Sequence, residues 1–161
     1  MWLLALLALS SPAVANPYAP SPPAALDQAD PFEWTAAAVR VAPGGEALVQ
    51  LRLVVPPGMV VYRDQLEITV VDAGGLSIGA PDLPPGLVKP DPVDGADLRE
   101  QYDMDVVVNL PVRAGPEPGL VRLVLSLRHQ GCHGRLCHPP RTVEQGVWVH
   151  VAADDAPTAP E

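Results

Sequence analysis

Between residues 47 and 151 the apolar positions recur every second residue in short runs, the pattern of strands that bury one face. The clearest run is Leu120 to His129, where Val121, Leu123, Leu125 and Leu127 fall on one face and Arg122, Ser126 and Arg128 on the other. Ala47 to Val55 repeats it, with Leu51 and Leu53 flanking Arg52, and so do Leu66 to Val71 and Val143 to Val151. In the last of these Val147, Val149 and Val151 alternate with Trp148 and His150. Val106-Val107-Val108 begins a further strand expected to end near Pro111. Breakers separate the runs: Pro43-Gly44-Gly45, Pro56-Pro57-Gly58, Ala73-Gly74-Gly75, Pro84-Pro85-Gly86 and Gly115-Pro116. Seven or eight short strands punctuated in this way predict an all-β fold, an antiparallel β-sandwich of immunoglobulin-like type.

The flanks read differently. Residues 1–15 hold the apolar run Trp2 to Leu9, a break at Ser10-Ser11-Pro12 and the small residues Ala13-Val14-Ala15. That run is too short to span a bilayer, and Ala-x-Ala suits a signal peptidase, so the segment predicts an export signal, although no Lys or Arg precedes its apolar core. Residues 16–31 are a Pro/Ala-rich linker without hydrophobic period, and residues 152–161 an acidic tail. The folded unit is expected over 32–151, exported, with no stable membrane span.

The chain of 161 residues carries 21 Pro and 13 Gly, which argues against long helices, and its length argues for one domain. It has 19 acidic against 10 basic residues, a formal charge of −9. This disfavours nucleic acid, whose binding draws on Lys and Arg displacing counterions.

The only two cysteines, Cys132 and Cys137, lie between two predicted strands. Four intervening residues exclude the inter-sheet bridge of antibody domains. A bridge closing so small a loop takes little entropy from the unfolded chain, so stability is a poor reason for it. It is either a plain staple or a redox pair. From Arg128 to Arg141 there are Arg128, Arg135, Arg141, His129, His133 and His138 but no carboxylate, and nearby positive charge favours the reactive thiolate. The same residues admit a soft metal site from His129, Cys132, His133, Cys137 and His138, or a stretched haem-attachment motif. Both are weak: there is no second Cys pair, the haem spacing is wrong, and Pro139-Pro140 stiffens the segment. No metal and no cofactor are expected.

At this point the sequence resembles a known family, the N-terminal periplasmic domain of the transmembrane thiol:disulfide interchange protein DsbD. The resemblance rests on Gln130-Gly131-Cys132 followed by Cys137-His138-Pro139-Pro140, and on Pro57 to Ile68, with Tyr62 in the aromatic position that packs near the disulfide. It covers about residues 34–151 and implies an immunoglobulin-like fold whose cysteine pair cycles between dithiol and disulfide, as the electron-carrying component of a thiol:disulfide oxidoreductase system. It implies electrons arriving from a membrane-associated thioredoxin-like donor and leaving to a periplasmic disulfide isomerase or related oxidoreductase. It also implies that Cys137 forms the mixed disulfide and Cys132 resolves it, with Tyr62, His133, Arg135, His138 and Pro139 in support. The local sequence points the same way: Pro139-Pro140 holds Cys137 extended, while Gly131 and Gly134 predict a flexible arm for Cys132.

Two departures stand out. The stretch 90–98, where family members carry a shielding aromatic residue, has no Phe or Tyr. Its Asp91, Asp94 and Asp97 either cover the Arg128/Arg135/Arg141 patch or form a solvated acidic loop. The chain also stops at Glu161, without the membrane and thioredoxin-like domains, so a separate carrier is expected. Trp34 and Tyr102 are expected in the core or on a sheet face. The contrasting reading is a non-catalytic immunoglobulin-like binding module with a structural disulfide.

Overall fold

The computed structural model describes residues 30–153; the predicted signal, nearly all of the linker and most of the tail lie outside the described residues. The strands are β1 (Glu33–Ala36), β2 (Val39–Val41), β3 (Glu46–Val54), β4 (Met59–Tyr62), β5 (Glu67–Asp72), β6 (Ser77–Ile78), β7 (Leu87–Pro90), β8 (Leu98–Tyr102), β9 (Val106–Arg113), β10 (Gly119–His129), β11 (Gly131–His133), β12 (Leu136–Cys137) and β13 (Arg141–Val151). They form three sheets, ordered β1-β3-β9-β6, β2-β13-β10-β5 and β12-β11-β4-β8-β7. The first two make the sandwich. Val49, Leu51 and Leu53 of β3 and Val106, Val108, Leu110 and Val112 of β9 meet Leu123, Leu125 and Leu127 of β10 and Val147, Val149 and Val151 of β13, all buried. The alternation anticipated for β3, β10 and β13 is thus the alternation of the core, and Trp34 and Tyr102 join it.

The third sheet was not anticipated. It carries the cysteines, and it exists because two strands leave the sandwich sheets. At Pro56-Pro57-Gly58-Met59 the Met59 N–H donates to the Pro56 carbonyl at 3.1 Å and Gly58 has φ +79°. Pro then Gly at the two central positions is the chemistry of a type II turn, and it carries the chain from β3 into β4. The other exit is a bulge. Between the pairs His129↔Arg141 and Cys132↔Cys137, one side of the hairpin uses Gln130 and Gly131 while the other uses His138, Pro139 and Pro140, one residue more. The extra residue bends the hairpin out of the second sheet and into the third.

Two further expectations are corrected. The sandwich is not wholly antiparallel, since β2 runs parallel to β13 through Val39↔Val149, Arg40↔His150 and Val41↔Val151. Nor does β9 end near Pro111; it continues to Arg113. The Pro111 carbonyl accepts from Gly79 N–H at 2.8 Å. A residue's N–H and C=O face the same neighbour, so the donor Pro111 lacks would point at that irregular stretch rather than at β3.

Candidate functional site

Cys132 and Cys137 are joined in a disulfide across β11 and β12, directly opposite one another with Cα atoms 3.9 Å apart. The His138 N–H donates to the Gly131 carbonyl at 2.9 Å one step before the pair, so the cysteines occupy a non-hydrogen-bonded position, where side chains approach most closely. The turn between them is Gly134-Arg135, and Gly134 has φ +54° at the first central position, where a type II′ hairpin turn calls for glycine.

The two sulfurs sit in different surroundings. Cys132 is fully buried in a strand paired on both sides, whereas Cys137 is half-buried on β12, an edge of the third sheet. Gly131 is no hinge: a Cβ there would lie 2.2 Å from Phe32 Cζ and 2.6 Å from the Val60 carbonyl oxygen. Gly131 thus serves close packing against Phe32 and Val60, and the difference the structure shows between the two sulfurs is one of exposure. Gln130 completes the motif. Its side-chain amide donates to the His138 carbonyl beside the bulge at 3.2 Å, and its own carbonyl accepts from Tyr62 N–H at 3.4 Å.

On the buried side, Tyr62 Oη is 3.4 Å from Cys132 Sγ and donates to Asp91 Oδ1 at 3.1 Å. Asp91 also accepts from Val93 N–H at 2.7 Å. Arg99 lies with its guanidinium carbon 3.7 Å from the centre of the Tyr62 ring, a cation–π contact, and reaches Asp91 Oδ2 at 3.5 Å. Its Nη2 is 2.7 Å from both oxygens of Asp64. Burial, and then the Asp91 carboxylate, push the Tyr62 hydroxyl above its ordinary pKa. The Val93 N–H, with further help from Tyr62 and Arg99, holds the Asp91 carboxyl below the usual carboxylate range.

The acidic stretch thus meets neither expectation in full. Asp94 and Asp97 are exposed, but Asp91 turns inward and pairs with Arg99 rather than with the patch. Arg128 instead donates to Gln65 Oε1 at 3.3 Å, and Arg135 stands exposed on the turn. His133 is exposed, with its ring near Gly58, and the half-buried His138 packs edge-on against Phe32. Pro139 is exposed in the bulge.

His129 is removed from the site altogether. It is buried, accepts from Trp34 Nε1 at 3.1 Å on Nδ1 and lies 2.9 Å from Asp30 Oδ2 through Nε2. Desolvation, opposed by Asp30, lowers its pKa. The continued alternation of β10 explains the position: one step beyond Leu127, the next inward residue is His129. The metal set drawn from sequence therefore loses a member. Sequence reasoning also missed Arg99 and Asp64, which are 35 residues apart and carry no local motif.

The sign of the Asp91 effect gives an acid-limb prediction. A carboxyl whose folded pKa lies below its unfolded value contributes stability above the unfolded value, near about 4, and loses it as pH falls through the folded one. Asp91→Asn is expected to flatten this loss below about pH 4, read by hydrogen exchange of the 91–97 segment. An unchanged acid profile would show that Asp91 does not fasten it.

Residues 28–147 match the family described as thiol:disulfide interchange protein DsbD, N-terminal. Among solved structures, the N-terminal domain of Neisseria meningitidis DsbD in the reduced form is 21% identical, with 68% of this chain and 86% of that one covered and a TM-score of 0.50. The DsbD N-terminal domain in a complex with the PilB N-terminal domain, also from Neisseria meningitidis, is 24% identical over 74% of this chain and 87% of that one, with a TM-score of 0.49. No curated protein matches the sequence. A bridged pair of cysteines on a hairpin, one sulfur buried and one reachable, has the chemistry of thiol–disulfide exchange. The chain belongs to the family of the N-terminal domain of the thiol:disulfide interchange protein DsbD.

Proposed function

We propose that this domain is an exported, periplasmic electron carrier that cycles Cys132 and Cys137 between dithiol and disulfide, taking electrons from a membrane-associated thioredoxin-like donor and passing them to a periplasmic disulfide isomerase or related oxidoreductase. The observation that carries the reading is the unequal exposure of the two sulfurs. In-line attack on a disulfide needs access to one sulfur along the S–S axis, and the half-buried Cys137 on the sheet edge offers it. Cys137 is the sulfur that forms the mixed disulfide. Cys132 lies opposite at the distance of a cross-strand pair and resolves it without leaving its strand. Tyr62 is the polar group beside the buried sulfur; His133, Arg135, His138 and Pro139 frame the reachable one.

Equilibration of the purified domain against a glutathione series tests this. The pair is expected to titrate within the range of thioredoxin-family proteins, about −120 to −270 mV. A potential below about −300 mV would mark a structural bridge and with it the binding-module reading.

A further inference from the structure

The Tyr62 hydroxyl has one hydrogen and two neighbours able to take it, Asp91 Oδ1 at 3.1 Å and Cys132 Sγ at 3.4 Å. In the disulfide the sulfur is a weak acceptor and the carboxylate prevails. The balance changes when Cys132 becomes a thiolate, because a full charge then sits at a position with no exposure to water. Turning the hydroxyl toward sulfur takes a donor away from Asp91, itself buried. Two other groups hold that carboxylate: the Val93 N–H on Oδ1 and Arg99 on Oδ2. Arg99 is fixed for this by its double contact with Asp64, and its charge over the Tyr62 ring makes the phenol a stronger donor.

We propose that Arg99 is a positioning residue for the exchange reaction: by holding Asp91 it releases the Tyr62 hydroxyl to donate to the Cys132 thiolate as that sulfur closes onto Cys137. The inference rests on the assignment of Cys132 as the resolving thiol. In the step concerned, the Cys132 thiolate attacks Cys137 Sγ, the intramolecular S–S bond forms, and the bond from Cys137 to the partner sulfur breaks. The partner leaves as a thiolate and takes a proton from solvent. Together with the earlier attack of the Cys137 thiolate on the partner disulfide, which releases the first partner thiolate, the two protein thiols are oxidised and the partner disulfide is reduced to two thiols.

Glutathione disulfide serves as the probe. The reduced domain is mixed with it, the mixed disulfide is mapped by mass spectrometry, and its decay is followed against pH. Arg99→Met is expected to slow the decay about tenfold at neutral pH, the loss of a hydrogen bond to a charged group. It is also expected to move the pH profile of the decay about one unit to the alkaline side. Arg99→Lys keeps the charge but not the planar fork that spans Asp64, Asp91 and the Tyr62 ring, and is expected to decay at a rate between those of Arg99→Met and wild type. Where Arg99→Met does not fold, Arg99→Gln makes the same comparison. An unchanged rate and profile overturns the proposal, and so does a faster decay, which is what a loop merely loosened over Cys132 would give. Glutathione mapped to Cys132 in the wild-type protein would instead overturn the assignment of the resolving thiol.

Discussion

Reduced Cys132→Ser protein, mixed with a disulfide-bearing partner of thioredoxin fold, is expected to accumulate a mixed disulfide through Cys137. In the wild-type chain the neighbouring thiol is held at a cross-strand position, so its effective concentration greatly exceeds that of free thiols in solution. Removing it lengthens the lifetime of the mixed species by roughly a thousandfold or more at millimolar free thiol. Cys137→Ser is expected to give little product, because the remaining sulfur is fully buried under Tyr62. Peptide mapping by mass spectrometry separates the outcomes. Predominant linkage through Cys132 in the Cys137→Ser protein would reverse the roles of the two thiols. Ser is smaller than Cys by only the difference between oxygen and sulfur, its hydroxyl at 132 lies beside the Tyr62 hydroxyl, and the bridge closes a sequence separation of only five residues, so both proteins are expected to fold.

The second large effect belongs to Gly131. Alanine there is expected to destabilise the domain by about 3 kcal/mol, because the added carbon meets the Phe32 ring and the Val60 backbone, and only the ring can move. For a domain of this size that corresponds to a melting temperature roughly 10 °C lower. Gly134→Ala is the control. Nothing lies within 4 Å of its Cβ position, so its cost is the positive φ alone, about 1 kcal/mol. Equal losses at the two glycines would show that packing behind the hairpin is not what the motif glycine serves.

The sandwich was legible where inward positions are mostly apolar and outward ones mostly polar, as with Leu123, Leu125 and Leu127 of β10 and Val147, Val149 and Val151 of β13, because burial of one face imposes a period of two. The hairpin of β7 and β8 was not legible. All four residues of β7 are exposed and one is Pro90, so neither composition nor period marks it, and its strandedness comes from pairing with β8. The cysteines and the Gln-Gly-Cys and Cys-x-Pro-Pro segments were readable because they are contiguous. The network of Tyr62, Asp64, Asp91 and Arg99 was not, since it gathers a strand end, a single 3-10 turn, a loop and a second strand. His129 is instructive. The sequence offered it only as a member of a weak metal set, and the alternation already seen in β10, carried one step further, directs it into the protein against Trp34.

Placing a disulfide sulfur on the outermost strand of a sheet invites a hazard. An open edge offers unpaired N–H and C=O groups to any extended chain, including another copy of the same protein, and strand addition there would carry the domain toward aggregates. The edge at Cys137 is two residues long and runs directly through His138 into Pro139 and Pro140, neither of which has an N–H to donate. A visiting strand therefore finds almost no ladder to extend. On the proposed role of Cys137, the sulfur stays open to a docking partner, while the backbone around it refuses the continuous pairing by which edges self-associate.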